Sequence, residues 1–287
     1  QISIKPKNGT FVSDFDKTQI KNKLKNYSIA GINAEIVDLK ILYVELDSTV
    51  YFNPAAIASS INLRTNIISA LQLYSQNVEI NKFGGRFKYS KINQLIDRVD
   101  NGITSNITKV IIRRDLKASL NQFAQYELCF GNRFNINPAG YNIKSTGFTV
   151  SGSDKMAYLT DIPNKDAAGN LDGSMKGTIS IVTKNNKNQQ VVLVKGAGIV
   201  DYMKGEVILN TINFTSTVAE NNIVEVQAYP ESNDVVGLKD LFVSFNVSNS
   251  TINMKEDVIA SGEDVSGVVF TRDYFTSSYS NGVLERK

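Results

Sequence analysis

The sequence predicts an α+β fold, in which a small N-terminal α+β sandwich precedes a larger all-β region, either a sandwich or a distorted barrel. Two observations predict this fold. Apolar residues recur at helical spacing in the first 119 residues, and after Leu120 short alternating runs replace that spacing. We therefore divide the chain into residues 1–119, an α+β domain, and residues 120–287, a β-rich domain with a C-terminal tail.

Two helices are predicted before residue 80. The first is short and amphipathic and can end at Gly31, and its apolar residues at helical spacing are Phe15, Ile20, Leu24 and Tyr27. The second extends from Ala55 to Gln76, directly after Pro54, because proline is common at the start of a helix. Its apolar positions, again at helical spacing, are Ile57, Ile61, Ile68 and Leu71.

Two long strands flank the second helix. The run AEIVDLKILYVELDSTVYFN, from Ala34 to Asn53, is rich in β-branched and aromatic residues, with a turn or bulge expected at Asp47 and Ser48. The run SNITKVIIRRDLKA predicts a second strand, in which two sets of residues alternate: Ile107, Lys109 and Ile111 on one side, and Thr108, Val110 and Ile112 on the other. The predicted sandwich consists of these two strands and the two helices between them, namely the second helix and the amphipathic segment that precedes the second strand.

The link between the second helix and the second strand contains two glycines, Gly84 and Gly85, among three basic residues, Lys82, Arg86 and Lys88. An amphipathic segment follows, with Ser90 placed as its N-cap, and a helix N-terminus favours anions. A phosphate loop would also require a fuller glycine pattern, a Lys-Ser/Thr pair and a preceding buried strand, none of which is present. We interpret Gly84, Gly85 and Arg86 as a connector whose glycines supply permissive backbone.

Composition excludes several classes of protein. With 287 residues, 42% hydrophobic and 21% charged, the chain has the composition of a folded globular protein. No apolar run approaches the roughly 18 residues of a membrane span, and no signal peptide opens the chain. A net charge of +3, with acids and bases interspersed, makes nucleic acid an improbable main partner. The start at Gln1 suggests a fragment or a processed product.

The residue inventory also restricts catalysis. Cys129 is the single cysteine and histidine is absent, so internal disulfides, Cys-rich metal sites and His-dependent nucleophiles are excluded. Carboxylates could still act as general acid and base. However, Asp97, Asp100 and Asp115 lie at helix ends or on alternating strands, where a carboxylate is by default exposed to solvent. We predict no enzyme activity, no cofactor, no metal and no small-molecule substrate.

Aromatic residues outside the core pattern are the candidate contact residues. Three of them lie in the polar C-terminal tail, Tyr274, Phe275 and Tyr279, and a fourth, Tyr229, precedes Pro230. Tyr and Phe concentrate at the buried centres of interfaces. A tail of this kind either packs onto its own domain or docks on a neighbour, and the sequence leaves both alternatives open.

The order of these elements resembles a known family. The segment FNPAAIASSINLRTNIISALQLY, a Gly-containing link, YSKINQLIDRVDNGITS and the strand NITKVIIRR are similar to the J-type baseplate proteins of contractile phage tails. In that family a helix ends in V-x-N/G-G-I/V before the strand, and Arg98 to Ile103 reads RVDNGI. The later run GAGIVDYMKGEVILNTINF also resembles the family's β-rich part. The similarity is greatest to the C-terminal portion of ring-forming wedge proteins of T-even-type phages.

The resemblance implies a structural protein of the virion, assembled in the host cytoplasm. Proteins of this family dimerise, link neighbouring wedges into the inner ring of the baseplate, contact other wedge proteins and rearrange when the sheath contracts. The partners expected from the resemblance are therefore a second copy of the chain and other wedge proteins, without membrane insertion. Two other classes remain open: a β-rich receptor- or glycan-binding module, which leaves the helices unexplained, and an enzyme with two converging carboxylates.

Overall fold

The computed structural model describes residues 2–4, 12–27, 35–37, 39–77, 79–185, 187 and 189–257. The helices are α1 (Asp14–Lys25), α2 (Ser60–Ser75) and α3 (Tyr89–Asp97). The strands are β1 (Ile2–Ser3), β2 (Ile36–Val37), β3 (Lys40–Phe52), β4 (Arg86–Phe87), β5 (Ile103–Lys117), β6 (Phe123–Cys129), β7 (Lys144–Ser145), β8 (Phe148–Val150), β9 (Ser153–Pro163), β10 (Lys176–Lys184), β11 (Gln190–Asp201), β12 (Glu206–Thr217), β13 (Ile223–Ala228), β14 (Val235–Val236), β15 (Leu241–Phe245) and β16 (Thr251–Glu256).

The first predicted helix is confirmed as α1. The Ser13 side chain caps its N-terminus by accepting a hydrogen bond from the Asp16 amide, and acidic residues occupy its first turn. No residue of α1 is buried, and Phe15 is 71% exposed. The predicted end at Gly31 lies outside the described residues, and the helix ends earlier, at Lys25.

The second helix begins at Ser60, so the predicted start at Ala55 is wrong. Asn53 accepts the Ala55 amide through its side chain and forms a turn, and the helix starts only after Ser59, whose hydroxyl accepts the Asn62 amide. The predicted apolar face is also shifted. The buried residues of α2 are Leu63, Ile67 and Leu71, whereas Ile61 is 76% exposed.

Helix α3 begins at Tyr89, and Ser90 is not its N-cap. Lys88 occupies the N-cap position without a side-chain cap. The carboxylate of Asp234, from a distant loop, instead accepts the Tyr89 amide at 2.9 Å. A side chain that is remote in sequence therefore satisfies one of the orphan amides of this helix start.

Strand β3 continues without interruption through Asp47 and Ser48, so the predicted turn or bulge is wrong. Asp47 is paired with Lys109 and Ser48 with Thr108 in the antiparallel ladder with β5. The hydroxyls of Ser48 and Thr108 lie 2.7 Å apart and form a buried hydrogen bond. This partner removes the desolvation cost of two buried hydroxyls, so a polar residue fits inside the strand.

Three further strands extend the β3–β5 pair. On one side β13 pairs antiparallel with β5. On the other side β15 and β16 both run parallel to β3 and share its free edge, β15 along the first half of β3 and β16 along the second. Helices α2 and α3 contact this sheet through β16 and β5. The buried side chains include Leu42, Val44, Ile67, Ile92 and Phe245.

The second half of the chain is built from strands, as the alternating runs predict. Strands β8, β9, β10, β11 and β12 pair in a circle, because β9 bonds to both β8 and β10, and β12 bonds to both β11 and β8. This part of the sheet is barrel-like. Through β7, which pairs with both β9 and β13, it is continuous with the β3–β5 sheet.

The protein is therefore mostly β, with three α-helices among the described residues. The division into residues 1–119 and 120–287 stays a prediction, and one hydrogen-bonded sheet connects the two ranges. Among the helices that the structure describes, none is long and apolar enough to cross a membrane.

Candidate assembly surfaces

A row of exposed isoleucines crosses the outer face of the barrel-like sheet. Ile162 of β9 is paired with Thr178 of β10, Thr178 with Ile199 of β11, and Ile199 with Ile208 of β12. The isoleucines are 41%, 53% and 43% exposed in that order. Apolar side chains that are contiguous and exposed mark interaction sites more often than scattered ones do. We call these three isoleucines with Thr178 the isoleucine row.

Sequence reasoning did not identify the isoleucine row, although the sequence contains a signal for it. In β11 and β12, Ile199 and Ile208 are next to buried neighbours, Val200, Val207 and Leu209. Successive strand residues point to opposite faces, so an uninterrupted apolar run gives a strand that is apolar on both faces. Only one of those faces is covered by the core of this chain.

The charged residues beside the row carry both signs. Lys176 is paired with Asp201 across β10 and β11, and Asp201 is paired with Glu206 across β11 and β12. Lys204 lies 4.0 Å from the Glu206 carboxylate. Both an acidic and a basic group are therefore available at the border of the apolar row.

A second candidate surface lies between α2 and β16. Six residues line an open groove of about 330 Å³: Ser60, Ile61, Arg64, Ile252, Asn253 and Met254. Ile252 is almost fully buried, whereas Ile61 at the start of the groove is exposed. We call this feature the α2–β16 groove.

The structure also brings together charged residues from three strands. The guanidinium of Arg113 in β5 contacts the carboxylates of Glu45 in β3, Asp115 in β5 and Glu225 in β13. Its Nε lies 2.8 Å from Glu45 Oε1, and its Nη1 lies 3.1 Å from Asp115 Oδ1. The Arg113 guanidinium carbon stacks 4.3 Å from the ring centroid of Tyr43. We call these residues the Arg113 network.

Burial affects the acids of this network. Desolvation raises the pKa of Glu45 and of Asp115, while the Arg113 charge lowers both and Glu225 raises both. Glu45 is also held by Gln227, whose side-chain amide donates to Oε2 at 2.8 Å. Asp115, which the sequence left as a solvated residue by default, is half-buried instead. The three carboxylates contact the same arginine, so the network connects β3, β5 and β13. We therefore interpret the Arg113 network as structural.

A second arginine lies on the opposite face of β5. Arg114 is 8% exposed, and burial lowers its pKa. Two of its nitrogens, Nε and Nη1, have no hydrogen-bond partner among the described residues. It lines a cavity of about 130 Å³ with Lys40, Glu127, Cys129, Asp240 and Leu241. Acids and bases are balanced around this cavity, which gives it no preference for an anion.

The glycine connector is packed against the rest of the chain. Gly84 has φ = +65°, which favours glycine. The amides of Gly84, Gly85 and Arg86 donate to the carbonyls of Leu238, Lys82 and Glu79 respectively. A phosphate loop needs free amides for its ligand. These amides are already used within the protein, which supports the connector interpretation, while Lys82, Arg86 and Lys88 are exposed.

Of the four aromatic residues predicted to form contacts, the structure describes one. Tyr229 is half-buried, its ring lies 5.8 Å from the Lys144 ammonium, and its backbone is held by the Asn142 side chain. Tyr274, Phe275 and Tyr279 lie outside the described residues. A contact role for these four residues stays a prediction.

No group of three or more Cys, Asp or Glu residues that could hold a metal ion occurs in the described part of the chain.

Comparison with known proteins gives consistent results. Residues 40–115 match the model of the baseplate structural protein gp6, C-terminal domain III, and residues 1–37 match that of gp6 C-terminal domain I. The baseplate wedge protein gp6 of Enterobacteria phage T4 is 26% identical over 118 residues, which cover 40% of this chain and 18% of that protein. The matched segment is therefore under a fifth of the relative's length. The first match starts with β3 and ends within β5, so it contains both strands and both helices of that unit. The chain is thus similar to the C-terminal part of the baseplate wedge protein gp6.

Proposed function

We propose that this chain is a structural component of a contractile phage tail baseplate and resides in the virion. The observation that carries the proposal is the order of the matches, since gp6 domain I precedes domain III along the chain, at residues 1–37 and 40–115. The matched unit corresponds to contiguous structure, from β3 through α2 and α3 to β5. The relative is named as a wedge protein, so we assign this chain a role in the wedge.

We further propose that residues 1–119 contain a small α+β sandwich and residues 120–287 a β-rich domain. The packing of α3 against β5, both within the first range, supports this division. The connector formed by Gly84, Gly85 and Arg86 then positions α3 relative to the loop around Gly237, to which Gly85 is hydrogen-bonded.

The proposed partners are a second copy of the chain and other wedge proteins. In this proposal, the chain self-associates, links wedges into the inner ring and rearranges when the sheath contracts. A two-fold dimer needs a self-complementary patch. The isoleucine row is our candidate for its centre, because it is apolar and because Lys176 and Glu206 provide both charge signs at its border.

Self-association can be measured by light scattering coupled to size exclusion, from low to high micromolar protein. We expect a dimer of modest affinity, since three half-exposed isoleucines are only the centre of the roughly 800 Å² per partner that stable interfaces bury. Ile199→Asp should shift the protein to monomer, because it places a charge at the patch centre. Ile107→Asp, at a residue 58% exposed on β5, is the matched control and should leave the dimer unchanged.

A strictly monomeric mass at every concentration would refute self-association of this chain. A dimer that persists in Ile199→Asp would move the contact away from the isoleucine row. The double variant Phe275→Ser with Tyr279→Ser then tests the tail as the alternative contact.

The baseplate role itself is tested by fitting the chain into a density map of an intact contractile tail. We expect the chain to fit density in the baseplate ring. Placement at the tip of a fibre, together with saturable glycan binding in an array, would establish the receptor-binding alternative instead. Turnover of a glycan, peptide or phosphoester that is lost on changing one carboxylate would refute a purely structural role.

A further inference from the structure

Two adjacent cavities on the outer face of the barrel-like sheet share part of their lining. The first has a volume of about 170 Å³ and the second of about 630 Å³, and Tyr158 and Lys184 line both. Tyr158 and Ile162 belong to an unbroken stretch of the β9 ladder, so they point to the same face of the strand and lie about 13 Å apart. The two cavities therefore form one trough beside the isoleucine row.

The charged residues of this trough all have the same sign. Lys144 lines the first cavity, Lys155 and Lys187 line the second, and no Asp or Glu is among the described residues that line either. Neither these three lysines nor Lys184 forms an ion pair within the described part of the chain. The trough thus carries more positive charge than the net +3 of the whole chain. We call the two cavities with these four lysines the lysine trough.

Aromatic rings position two of the ammonium groups. The Lys184 ammonium lies over the ring of Tyr158, 5.7 Å from its centroid, and the Lys144 ammonium lies over the ring of Tyr229 at 5.8 Å. The face of a ring attracts a cation but carries no net charge, whereas a neighbouring carboxylate would neutralise it. Both ammonium groups are therefore held in place with their charge available to an anion from outside the chain.

A strained tyrosine borders the trough. Tyr141 lines the first cavity, is 47% exposed and has φ = +67°, a backbone conformation that bulky residues rarely adopt. Glycine adopts this conformation without strain. Strained residues of this kind cluster at sites that hold ligands. The strain therefore indicates that the side chain of Tyr141 has a role at the trough.

We propose that the lysine trough binds an acidic segment of a partner protein, with Asp or Glu carboxylates against the four lysines and the chain of the partner against Tyr141 and Tyr158. Tyrosine is enriched at the centres of protein interfaces, and opposite charges fix the register of the partner. The identification of this partner as another wedge protein rests on the proposed function. The preference of the trough for a chain of carboxylates does not.

The hydrogen-bonding groups of the trough favour a peptide over a phosphate chain. Gln190 lines the first cavity, and its side-chain amide forms no hydrogen bond within the described residues. This amide both donates and accepts, so it matches the N–H and C=O groups of a peptide backbone. A phosphodiester chain offers only acceptors, and no arginine is among the described lining residues to bind its phosphates in a bidentate manner.

Binding of a fluorescein-labelled oligoglutamate peptide to the full-length chain, followed by fluorescence anisotropy, tests the proposal. At an ionic strength of about 0.1 M, where the screening length is roughly 10 Å, we expect saturable binding that weakens as salt is added. Lys144→Glu with Lys184→Glu should weaken binding about tenfold or more, because two attractions become repulsions. Tyr141→Gly should also weaken binding without lowering the urea midpoint, because glycine relieves the strain of the positive φ.

The matched control is Lys109→Glu with Lys239→Glu. This pair changes the net charge by the same amount, at two exposed lysines that line neither cavity. Its affinity for the peptide should remain within about twofold of that of the wild type.

Four results would overturn the proposal. They are the absence of saturable binding by the wild type, an equal loss of affinity in both double variants, an unchanged affinity in Tyr141→Gly, and tighter binding of an oligothymidylate of equal charge. The second would attribute binding to the net charge of the chain, and the last would assign the trough to nucleic acid. None of them changes the outcome of the light-scattering test or of the fit to tail density, so failure here is distinguishable from failure of the proposed function.

Discussion

Replacement of Gly85 by alanine should destabilise the protein much more than the same change at Gly84. A Cβ on Gly85 would lie 2.1 Å from the carbonyl oxygen of Ile80 and 3.0 Å from that of Lys82. Both contacts are to backbone, so no side chain can rotate to make room. The Gly85 amide donates to Lys82, and its carbonyl accepts from Gly237, so a shift of Gly85 strains both hydrogen bonds.

The expected cost of Gly85→Ala is about 2–4 kcal/mol, because relief of the overlap requires a backbone shift of about 1 Å in a packed region. Gly84 is the matched control. Its φ of +65° penalises alanine by about 1–2 kcal/mol, but the nearest atom to its Cβ is 4.0 Å away. Crowding around the added Cβ therefore makes Gly85→Ala the more destabilising variant. Backbone conformation alone would make Gly84→Ala the more destabilising of the two.

Urea unfolding followed by circular dichroism measures both variants, with the midpoint shift at constant slope as the readout. Arg86→Glu, at an exposed residue, should leave the midpoint unchanged. A Gly85→Ala cost equal to or below that of Gly84→Ala would refute the argument. Saturable nucleotide binding that Arg86→Glu abolishes would show that the loop handles phosphate.

Two further predictions concern buried polar groups. The raised pKa of Glu45 means that folding favours its protonated form, so its contribution to stability is present below its ordinary pKa of 4.5 and is lost as the pH rises through the raised value. Glu45→Gln should therefore reduce the change of the urea midpoint with pH across this window. A pH profile identical to that of the wild type would contradict the raised pKa of Glu45. Tyr202 donates to the buried carboxylate of Asp161 at 2.7 Å, so Tyr202→Phe should cost about 1–3 kcal/mol in thermal unfolding. Tyr158→Phe is the control, because its hydroxyl forms no hydrogen bond within the described residues, and equal costs would contradict the prediction.

The strands were predictable because their signal is local. In β5 the alternation places Thr108, Val110 and Ile112 on one face of the strand, and the structure buries all three. The pleat alone produces this pattern, so it can be identified without knowledge of the partner strand. The same local signal is present in β10, β11, β12 and β13, whose runs are bounded by turn residues.

The helix starts and the pairing partners of the edge strands were not predictable in this way. The start of α3 depends on Asp234, which is 145 residues away in sequence. The parallel pairing of β15 and β16 with β3 is equally non-local. The Arg113 network has the same origin, since Glu45, Asp115 and Glu225 become neighbours only when three strands align. Periodicity within a segment contains no information on such contacts.

The Arg113 network gives these strands a fixed register. Burial of charge is costly, and apolar residues of similar volume are often equally or more stabilising, so the network is weak evidence for stability. Its geometry supports a different role. A slip of one residue in β5 would move Arg113 to the opposite face and separate it from all its carboxylates at once. We infer that Arg113 selects the register of β3, β5 and β13. The segment similar to gp6 domain III includes β3 and nearly all of β5, whereas β13 lies outside it, so this register determines how that segment is joined to β13.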